Sequence, residues 1–215
     1  FLAALVVTGW DVIASVAPRN TSDIYLSNWY TIGGVVWTCI NAGVAVLHWY
    51  QYGLGQVSVS GFYMHNAVGM WFTPLALGIF YYALPKLLSR PIYSYALGIF
   101  AFWTNLVFYP IIGAHHFLFS PLPWWLQTTA IVFSVAMLVP VWGGSANFLL
   151  TMRGRMGDML HSYPLLFIIV GVVGYLVGST KGTFEAFRPR PYVWNMTHVT
   201  VGHSPLTTPD SVSFA

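Results

Sequence analysis

Long apolar runs with very few charges constrain this chain more than any other feature of its sequence. Only 6% of the residues are charged and 57% are hydrophobic, whereas a soluble domain carries about 25% charged residues. Several runs reach the roughly 20 residues that a helix needs to cross a hydrocarbon core. Backbone groups in lipid must bond within the chain, which favours helices over open sheets. The sequence therefore predicts an all-α, polytopic membrane helix bundle surrounded by lipid.

Short connections divide the chain into six apolar spans and one poorer apolar segment. The predicted bounds are 1–16, 29–50, 61–84, 92–116, 124–150 and 160–179, with the poorer segment running from residue 192 to the end. The connections, such as QYGLGQVSVS, carry the Gly, Pro and polar residues typical of helix ends. We therefore expect residues 1–215 to form a single transmembrane domain of about six to seven helices. The chain reads as the middle of a longer product or a truncated one, not as a chain with a signal peptide.

Basic residues in the connections predict how the bundle is oriented. The first, third and fifth connections hold Arg19, Lys86, Arg90, Arg153 and Arg155, the second and fourth hold none, and the sixth holds three basic residues. The positive-inside tendency places the odd connections in the cytoplasm. The net charge of +3 rests on only eight Lys and Arg residues. This charge is no basis for a nucleic-acid-binding function.

The predicted topology places four histidines near the outer side of the membrane. His65 lies near the start of a span that enters from the outer side, and His115 and His116 end a span that exits there. His203 falls a few residues into the last segment, which also enters from the outer side. Ionisable groups inside a membrane are functional candidates by default. We expect these imidazoles at one depth, just below the outer face, and we regard His48 and His161 as ordinary core or interfacial residues.

The stretch FYPIIGAHHF is unusual for the end of an apolar helix. Tyr109 and His116 are seven residues apart, so they share a face of an α-helix. Pro110 favours a kink and Gly113 allows close approach. Adjacent histidines point about 100° apart on a regular helix, but a distorted helix lets both reach one ion. Three imidazoles without thiolate or carboxylate suit copper or zinc, and the residues alone do not choose the metal.

Residues 65–116 resemble one family in an ordered set of motifs. HNAVG, YY…PK…RPIYSY and the tyrosine followed by HH resemble the catalytic subunit I of C-family (cbb-type) haem–copper oxidases. The likeness continues through VWGGSANFLLTMRG and TFEAF, and NWYTIGG matches an earlier helix. The resemblance covers most of the chain but only the middle and later helices of a family member. It implies that the bundle is part of the twelve-helix subunit I fold.

The resemblance implies roles for particular residues. His65, His115 and His116 correspond to the three ligands of the copper ion CuB, and His203 corresponds to the ligand of the high-spin haem b iron. Tyr109 corresponds to the active-site tyrosine that this branch bonds covalently to the first copper-ligand histidine, so Tyr109 and His65 are the implied catalytic residues. The implied reaction is reduction of dioxygen to water with electrons from cytochrome c, coupled to proton translocation.

The resemblance also implies partners, a location and a path for protons. The partners are the c-type cytochrome subunits, a cytochrome c donor and another chain or segment that supplies the early helices, all in a bacterial inner membrane. Glu185 corresponds to a family glutamate near the haem propionates, although a solvated acid is the alternative. Polar residues expected on the cytoplasmic half or at mid-membrane are proton-path candidates, and hydrogen bonding to their own helix is the alternative for each: Tyr93, Ser94, Tyr95, Thr128, Thr129 and Ser134.

The chain departs from the family pattern at the low-spin haem. The family motif ends in His-x-His, whereas here His203 is followed by Ser204 and Pro205, so this chain alone does not ligate low-spin haem b. A fragment, a split subunit and a divergent non-catalytic subunit are the competing explanations. Nitric oxide reductases, the second candidate class, place a glutamate near a non-haem iron. The residue one turn after His65 is Gly69, which favours the oxidase.

Overall fold

Eight α-helices and two helical segments of other pitch build the described part of the molecule. The computed structural model describes residues 2–187 and residue 197. In chain order the elements are α1 (Leu2–Val16), α2 (Leu26–Leu47), α3 (Leu54–Asn66), a π-helix (Ala67–Phe72), α4 (Thr73–Leu88), α5 (Tyr95–Phe108), a 3₁₀-helix (Tyr109–Phe117), α6 (Trp124–Ala136), α7 (Leu138–Thr151) and α8 (Tyr163–Glu185), with short 3₁₀ turns at His48–Tyr50 and Met156–His161. Every regular element within these residues is a helix, as the sequence predicts.

Five continuous helical stretches are long and apolar enough to cross a membrane. They are Leu26–Leu47, Leu54–Leu88, Tyr95–Phe117, Trp124–Thr151 and Tyr163–Glu185, and a shorter apolar helix precedes them. The chain is therefore a multi-pass membrane protein. The poorer apolar segment from residue 192, with His203 and Pro205, lies outside the described residues.

The predicted start of the third span at residue 61 is wrong, because the helix begins at Leu54. Gly53 has a φ of 57°, which confines the chain reversal to the residue before the helix. The polar residues that indicated a connection are accommodated within the helix, since the Ser58 hydroxyl donates to the carbonyl of Leu54 at 2.7 Å. His65 consequently lies eleven residues after the first residue of α3, about 16 Å along its axis and not one turn from its start.

The bundle has two ends that differ in chemistry. The histidine end holds the connections 48–53 and 118–123, and the cationic end holds the connections 17–25, 89–94 and 152–162. Arg90 Nη1 donates to the carbonyl of Arg153 at 3.0 Å, which joins two connections at the cationic end. The connections that the positive-inside tendency assigns to the cytoplasm therefore lie together, opposite the histidines.

Aromatic side chains fill the centre of the bundle. Tyr30 of α2 stacks on Tyr81 of α4 with ring centroids 5.1 Å apart. Phe148 of α7 packs against the same Tyr81 at 4.4 Å and against Phe80 at 5.9 Å. All four rings are buried. Because lipid is as apolar as these side chains, close packing rather than the hydrophobic effect holds the helices together.

The side chain of Asn147 on α7 forms hydrogen bonds with the connection before α5 and with α4 at the cationic end of the bundle. Its Oδ1 accepts the backbone N–H of Ser94 at 2.9 Å, and its Nδ2 donates to the Ser94 carbonyl at 2.9 Å and to the Tyr81 hydroxyl at 3.3 Å. Thr151, one turn later, accepts the backbone N–H of Tyr93 at 2.9 Å. The irregular backbone before α5 thus has its hydrogen bonds satisfied by α7, as lipid requires.

Candidate metal centre

A π-helical turn follows the first histidine of the candidate site. His65 is the penultimate residue of α3, and the chain widens into the π-helix Ala67–Phe72 immediately afterwards. The hydroxyl of Thr73 donates to the carbonyl of Val68, five residues earlier, at 3.2 Å. Single π turns inside longer helices occur frequently at functional sites. Here the widening sets the face that His65 and Gly69 present to the neighbouring helix.

The adjacent histidines lie on a tightened helix. From Tyr109 to Phe117 the chain is a 3₁₀-helix, with Pro110 in its first turn. Because a 3₁₀-helix has three residues per turn, Tyr109 shares a face with His115, six residues away. The expectation that Tyr109 and His116 share a face is therefore wrong, since it assumed α-helical pitch.

Gly113 allows the two histidine-bearing helices to approach. A Cβ at this position would lie 3.3 Å from the Cβ of His65 and 3.5 Å from the carbonyl oxygen of Gly61. Gly61 in turn lies under the ring of Phe117, where a side chain on the glycine would overlap the ring. The small residues thus bring α3 and the 3₁₀-helix into direct backbone contact.

The three imidazoles converge on one point. The ligand atoms of His65, His115 and His116 all lie within 4.8 Å of one another. The ring of His65 lies 5.1 Å from that of His115 and 5.4 Å from that of His116. The adjacent pair are 4.2 Å apart with their planes at 85°. His65 and His115 are half-buried, and His116 is exposed.

This arrangement fits a copper or zinc ion. The Nε2 atoms of His115 and His116 lie 2.9 Å apart. Two nitrogens that each bind one ion at about 2.0 Å, at angles near 90–110°, are separated by about 2.8–3.3 Å. Among the described residues the donor set is three imidazole nitrogens, which suits copper or zinc better than a hard cation. The residues present therefore fit the ion that the sequence predicts.

Tyr109 packs between His65 and the π-helix. Its ring stacks on the imidazole of His65 with centroids 4.3 Å apart and planes inclined by 22°. On its other flank the ring contacts Gly69, where the three nearest atoms to an added Cβ are Cζ, Cε1 and the hydroxyl oxygen of Tyr109, all within overlap distance. A residue with a side chain cannot occupy position 69 while Tyr109 holds this position. The phenol is fixed beside the three histidines.

A cavity of about 320 Å³ opens beside the histidines. Five of its polar lining residues were missed by sequence analysis: Thr73, Asn105, Tyr175, Ser179 and Thr183. Thr73, Asn105 and Tyr175 interrupt apolar runs inside membrane spans, which is the signal that marks intramembrane polar residues as functional candidates. Ser179 and Thr183 lie at or beyond the predicted end of the sixth span, so this signal does not single them out. The predicted candidate Ser134 also lines this cavity, beside His115.

Three of the predicted residues lie at the cationic end, away from the histidines: Tyr93, Ser94 and Tyr95. Tyr93 and Tyr95 are exposed at the cationic end, where the Tyr95 hydroxyl donates to the carbonyl of Ile24 at 2.7 Å. Ser94 caps α5 by accepting the backbone N–H of Leu97 at 3.1 Å. Glu185 ends α8 and forms an ion pair with Lys181 at 3.3 Å. His203 lies outside the described residues.

Thr128 and Thr129 require a correction. They were expected on the cytoplasmic half or at mid-membrane, but α6 begins at Trp124, directly after the connection at the histidine end. Both threonines therefore lie within the first two turns, on the side of the histidines. Their hydroxyls donate to the carbonyls of Trp124 and Trp125 at 2.9 and 2.8 Å, so each bonds its own helix.

The comparisons with known proteins agree with this architecture. The family model described as Cytochrome C and Quinol oxidase polypeptide I matches residues 1–214. The chain therefore belongs to this family, that of haem–copper oxidase subunit I, and it resembles the cbb3-type branch.

Three relatives illustrate the similarity. The chain is 33% identical over 199 residues to the Cbb3-type cytochrome c oxidase subunit CcoN1 of Stutzerimonas stutzeri, covering 88% of this chain and 42% of the relative. It is 32% identical over 209 residues to the bacteroid cytochrome c oxidase subunit 1 homolog of Bradyrhizobium diazoefficiens, covering 89% and 37%. It is 31% identical over 209 residues to cytochrome c oxidase subunit 1 of Rhodobacter capsulatus, covering 89% and 38%. The chain thus spans about two fifths of the length of these relatives.

Proposed function

We propose that this chain carries the copper-binding part of a terminal oxidase that reduces dioxygen to water. The observation that supports the proposal most strongly is the convergence of His65, His115 and His116 within 4.8 Å, with the ring of Tyr109 stacked at 4.3 Å on that of His65. High-spin haem b and copper, when bound, would supply the dioxygen binding and electron transfer that no side chain provides. In this proposal His203 is the haem ligand.

The three histidines would hold the copper ion through neutral imidazole nitrogens. They come from two helices in contact through glycines, so the spacing of the donors is set before an ion binds. Preformed geometry of this kind lowers the cost of ordering the ligands on binding. Among the residues that the structure describes, no carboxylate lies in the cluster, so these ligands would leave the charge of the ion uncompensated.

Tyr109 would hold a transferable proton beside the copper site. Its ring lies between the His65 imidazole and the backbone of Gly69, which restricts the directions in which the hydroxyl can point. A phenol in contact with a ligand imidazole can give a proton to a reacting group in the same cavity. This role, and the covalent bond to His65 that the resemblance implies, belong to the proposal.

Protons would reach the site from the cationic end. The Asn147 amide donates to the backbone carbonyl of Ser94 at 2.9 Å and to the Tyr81 hydroxyl at 3.3 Å, and this series of polar groups leads from the connection 89–94 towards the centre of the bundle. Tyr93 and Tyr95 lie at the entrance of this polar series, and Tyr175 lines the cavity at the other end. We include these residues in the proposed path and give Thr128 and Thr129 no part in it.

The proposal extends to the complete oxidase, of which this chain spans part. Electrons would come from cytochrome c through c-type cytochrome subunits. Low-spin haem b would be held by residues of another segment or chain. Further helices of the subunit would come from another segment or chain. The bacterial relatives support an inner-membrane location for the assembly, and the cationic end would face the cytoplasm.

Metal analysis and an optical spectrum of the reduced, CO-treated holoprotein test this function. Copper together with a photolabile CO complex of a high-spin haem is the expected result. Iron in place of copper would instead indicate a nitric oxide reductase. Purified protein without haem would contradict both enzymatic functions and favour a non-catalytic subunit.

A matched pair of tyrosine variants tests the role of the phenol. Tyr109→Phe keeps the ring that packs on His65 but removes the proton, so oxygen consumption is expected to fall roughly 10²–10⁴-fold. Tyr163→Phe is the control, because Tyr163 is exposed at the cationic start of α8. Equal oxygen consumption by the two variants would refute the role of Tyr109.

A further inference from the structure

His115 is held by a hydroxyl group on the side of its ring that faces away from the other histidines. Its Nε2 lies 2.9 Å from Nε2 of His116, so this nitrogen points towards the proposed ion. Its Nδ1 lies 2.7 Å from the hydroxyl oxygen of Ser134 on α6. Ser134 is buried, with 1% of its surface exposed.

The Ser134 hydroxyl donates its single proton to a backbone carbonyl on its own helix. The same oxygen lies 2.7 Å from the backbone carbonyl of Ala130, four residues earlier on α6. A carbonyl oxygen can only accept, and a serine hydroxyl has one proton to donate. The hydroxyl therefore donates to Ala130, and towards His115 its oxygen can only accept.

We infer that Ser134 is a positioning residue that fixes the tautomer of His115. Because the hydroxyl oxygen accepts, the neutral imidazole must carry its proton on Nδ1, which leaves the lone pair on Nε2. This is the nitrogen that faces His116. The inference rests on the proposed copper role of the three histidines, and it assigns Ser134 an orienting function in place of the proton-path role expected from sequence.

A third helix braces the serine. The hydroxyl of Thr183 on α8 donates to the backbone carbonyl of Ser134 at 3.0 Å. Thr183 is also buried and lines the same cavity. The orientation of His115 is thus set from α6, and α6 is held in place by α8. Partners of this kind, which orient a ligand through its second nitrogen, typically change metal affinity about 10–100-fold when they are removed.

Copper(I) affinity measured against a chromogenic chelator tests the inference in the purified, metal-depleted protein. Ser134→Ala is expected to weaken copper(I) binding about 10–100-fold, and Ser134→Thr, which keeps the hydroxyl, is expected to restore it. Ser145→Ala is the matched control, because Ser145 is equally buried at 1% exposure and its hydroxyl makes no hydrogen bond to any described residue. That control is expected to stay within about twofold of the parent protein.

A second measurement does not depend on any serine variant folding. Nitrogen NMR of protein labelled with isotopic histidine, with His115 assigned by a His115→Gln variant, reports which ring nitrogen carries the proton. We expect the proton on Nδ1 before copper is added, and a proton on Nε2 would overturn the inference. Copper(I) binding by Ser134→Ala equal to that of the parent would overturn it too, while leaving the proposed function intact. If the parent protein itself binds no copper(I), the proposed function and this inference both fail.

Discussion

Replacing Gly69 with alanine should displace Tyr109 from the proposed active site. The three atoms nearest to a Cβ at this position are the Cζ, Cε1 and hydroxyl oxygen of Tyr109, all within overlap distance. Non-bonded carbon atoms prefer separations of about 3.5–4.0 Å. The ring must therefore move by more than about 1 Å, or the π-helix must shift by the same amount.

The cost of this change can be worked out for both stability and activity. Overpacking by one methyl group in a well-packed region typically costs about 1–3 kcal/mol. A misplacement of about 1 Å at a reacting group lowers a catalysed rate about 10²-fold. We therefore expect Gly69→Ala to lower the unfolding temperature moderately and to lower oxygen consumption about 10²-fold.

Thermal unfolding in detergent and oxygen consumption of the holoprotein measure the two effects. Gly43→Ala is the matched control, since Gly43 lies inside α2 and a Cβ there meets no atom of the described part of the chain within 4 Å. That variant should keep its activity and gain up to about 1 kcal/mol from the better helix propensity of alanine. A Gly69→Ala protein with the stability and activity of the parent would refute the steric argument.

Three further variants test other parts of the structure. His116→Ala removes one proposed ligand and should weaken copper(I) binding more than about 100-fold in the chelator titration. His161→Ala is the control, because His161 is exposed and outside the cluster, and it should leave copper(I) affinity unchanged. Similar copper(I) affinities for the two variants would contradict the site. The side-chain amide of Gln127 forms hydrogen bonds with the backbone of residues 119, 120 and 122 at 3.1, 3.2 and 2.7 Å. Gln127→Leu should therefore destabilise the protein by about 1–3 kcal/mol for each backbone group left unsatisfied. Gln127→Glu keeps only the hydrogen-bond acceptor and should unfold at an intermediate temperature. Asn147→Leu removes three hydrogen bonds at the cationic end and should make the backbone amide of Ser94 exchange hydrogen much faster. An unchanged exchange rate would show that Asn147 does not stabilise the backbone before α5.

The sequence was sufficient to predict the class of fold and most of the helical spans. Charge content and run length decide both, because lipid leaves the backbone no alternative to helices. The start of the third span was misplaced because Gly and Ser residues indicate a connection in water. In lipid, hydroxyls such as that of Ser58 bond to their own helix, which continues through them.

The site was predicted only in part, for reasons of helical pitch. Successive spans cross the membrane in opposite directions, so counting the spans in the sequence was enough to predict that His65, His115 and His116 lie on the same side. Which residues share a face depends on the number of residues per turn. Pro110 indicated a distortion but not its pitch, and neither the 3₁₀-helix at Tyr109 nor the π-helix at Ala67 was predicted. Contacts such as that between Ser134 and His115 join different helices, and a single sequence does not reveal them.

The π-helix between α3 and α4 makes the histidine cluster sensitive to the number of residues on one side of it. Residues 54–88 form one uninterrupted rod, and each residue of an α-helix turns the chain by about 100°. Deleting one residue of the widened turn would allow α-helical pitch along the rod, apart from the backbone bonds that Pro74 and Pro85 cannot donate. That regular rod would point His65 about 100° away from its two companions. The presence of one residue in this turn thus separates a bundle that can bring three imidazoles together from a bundle of similar helices that cannot.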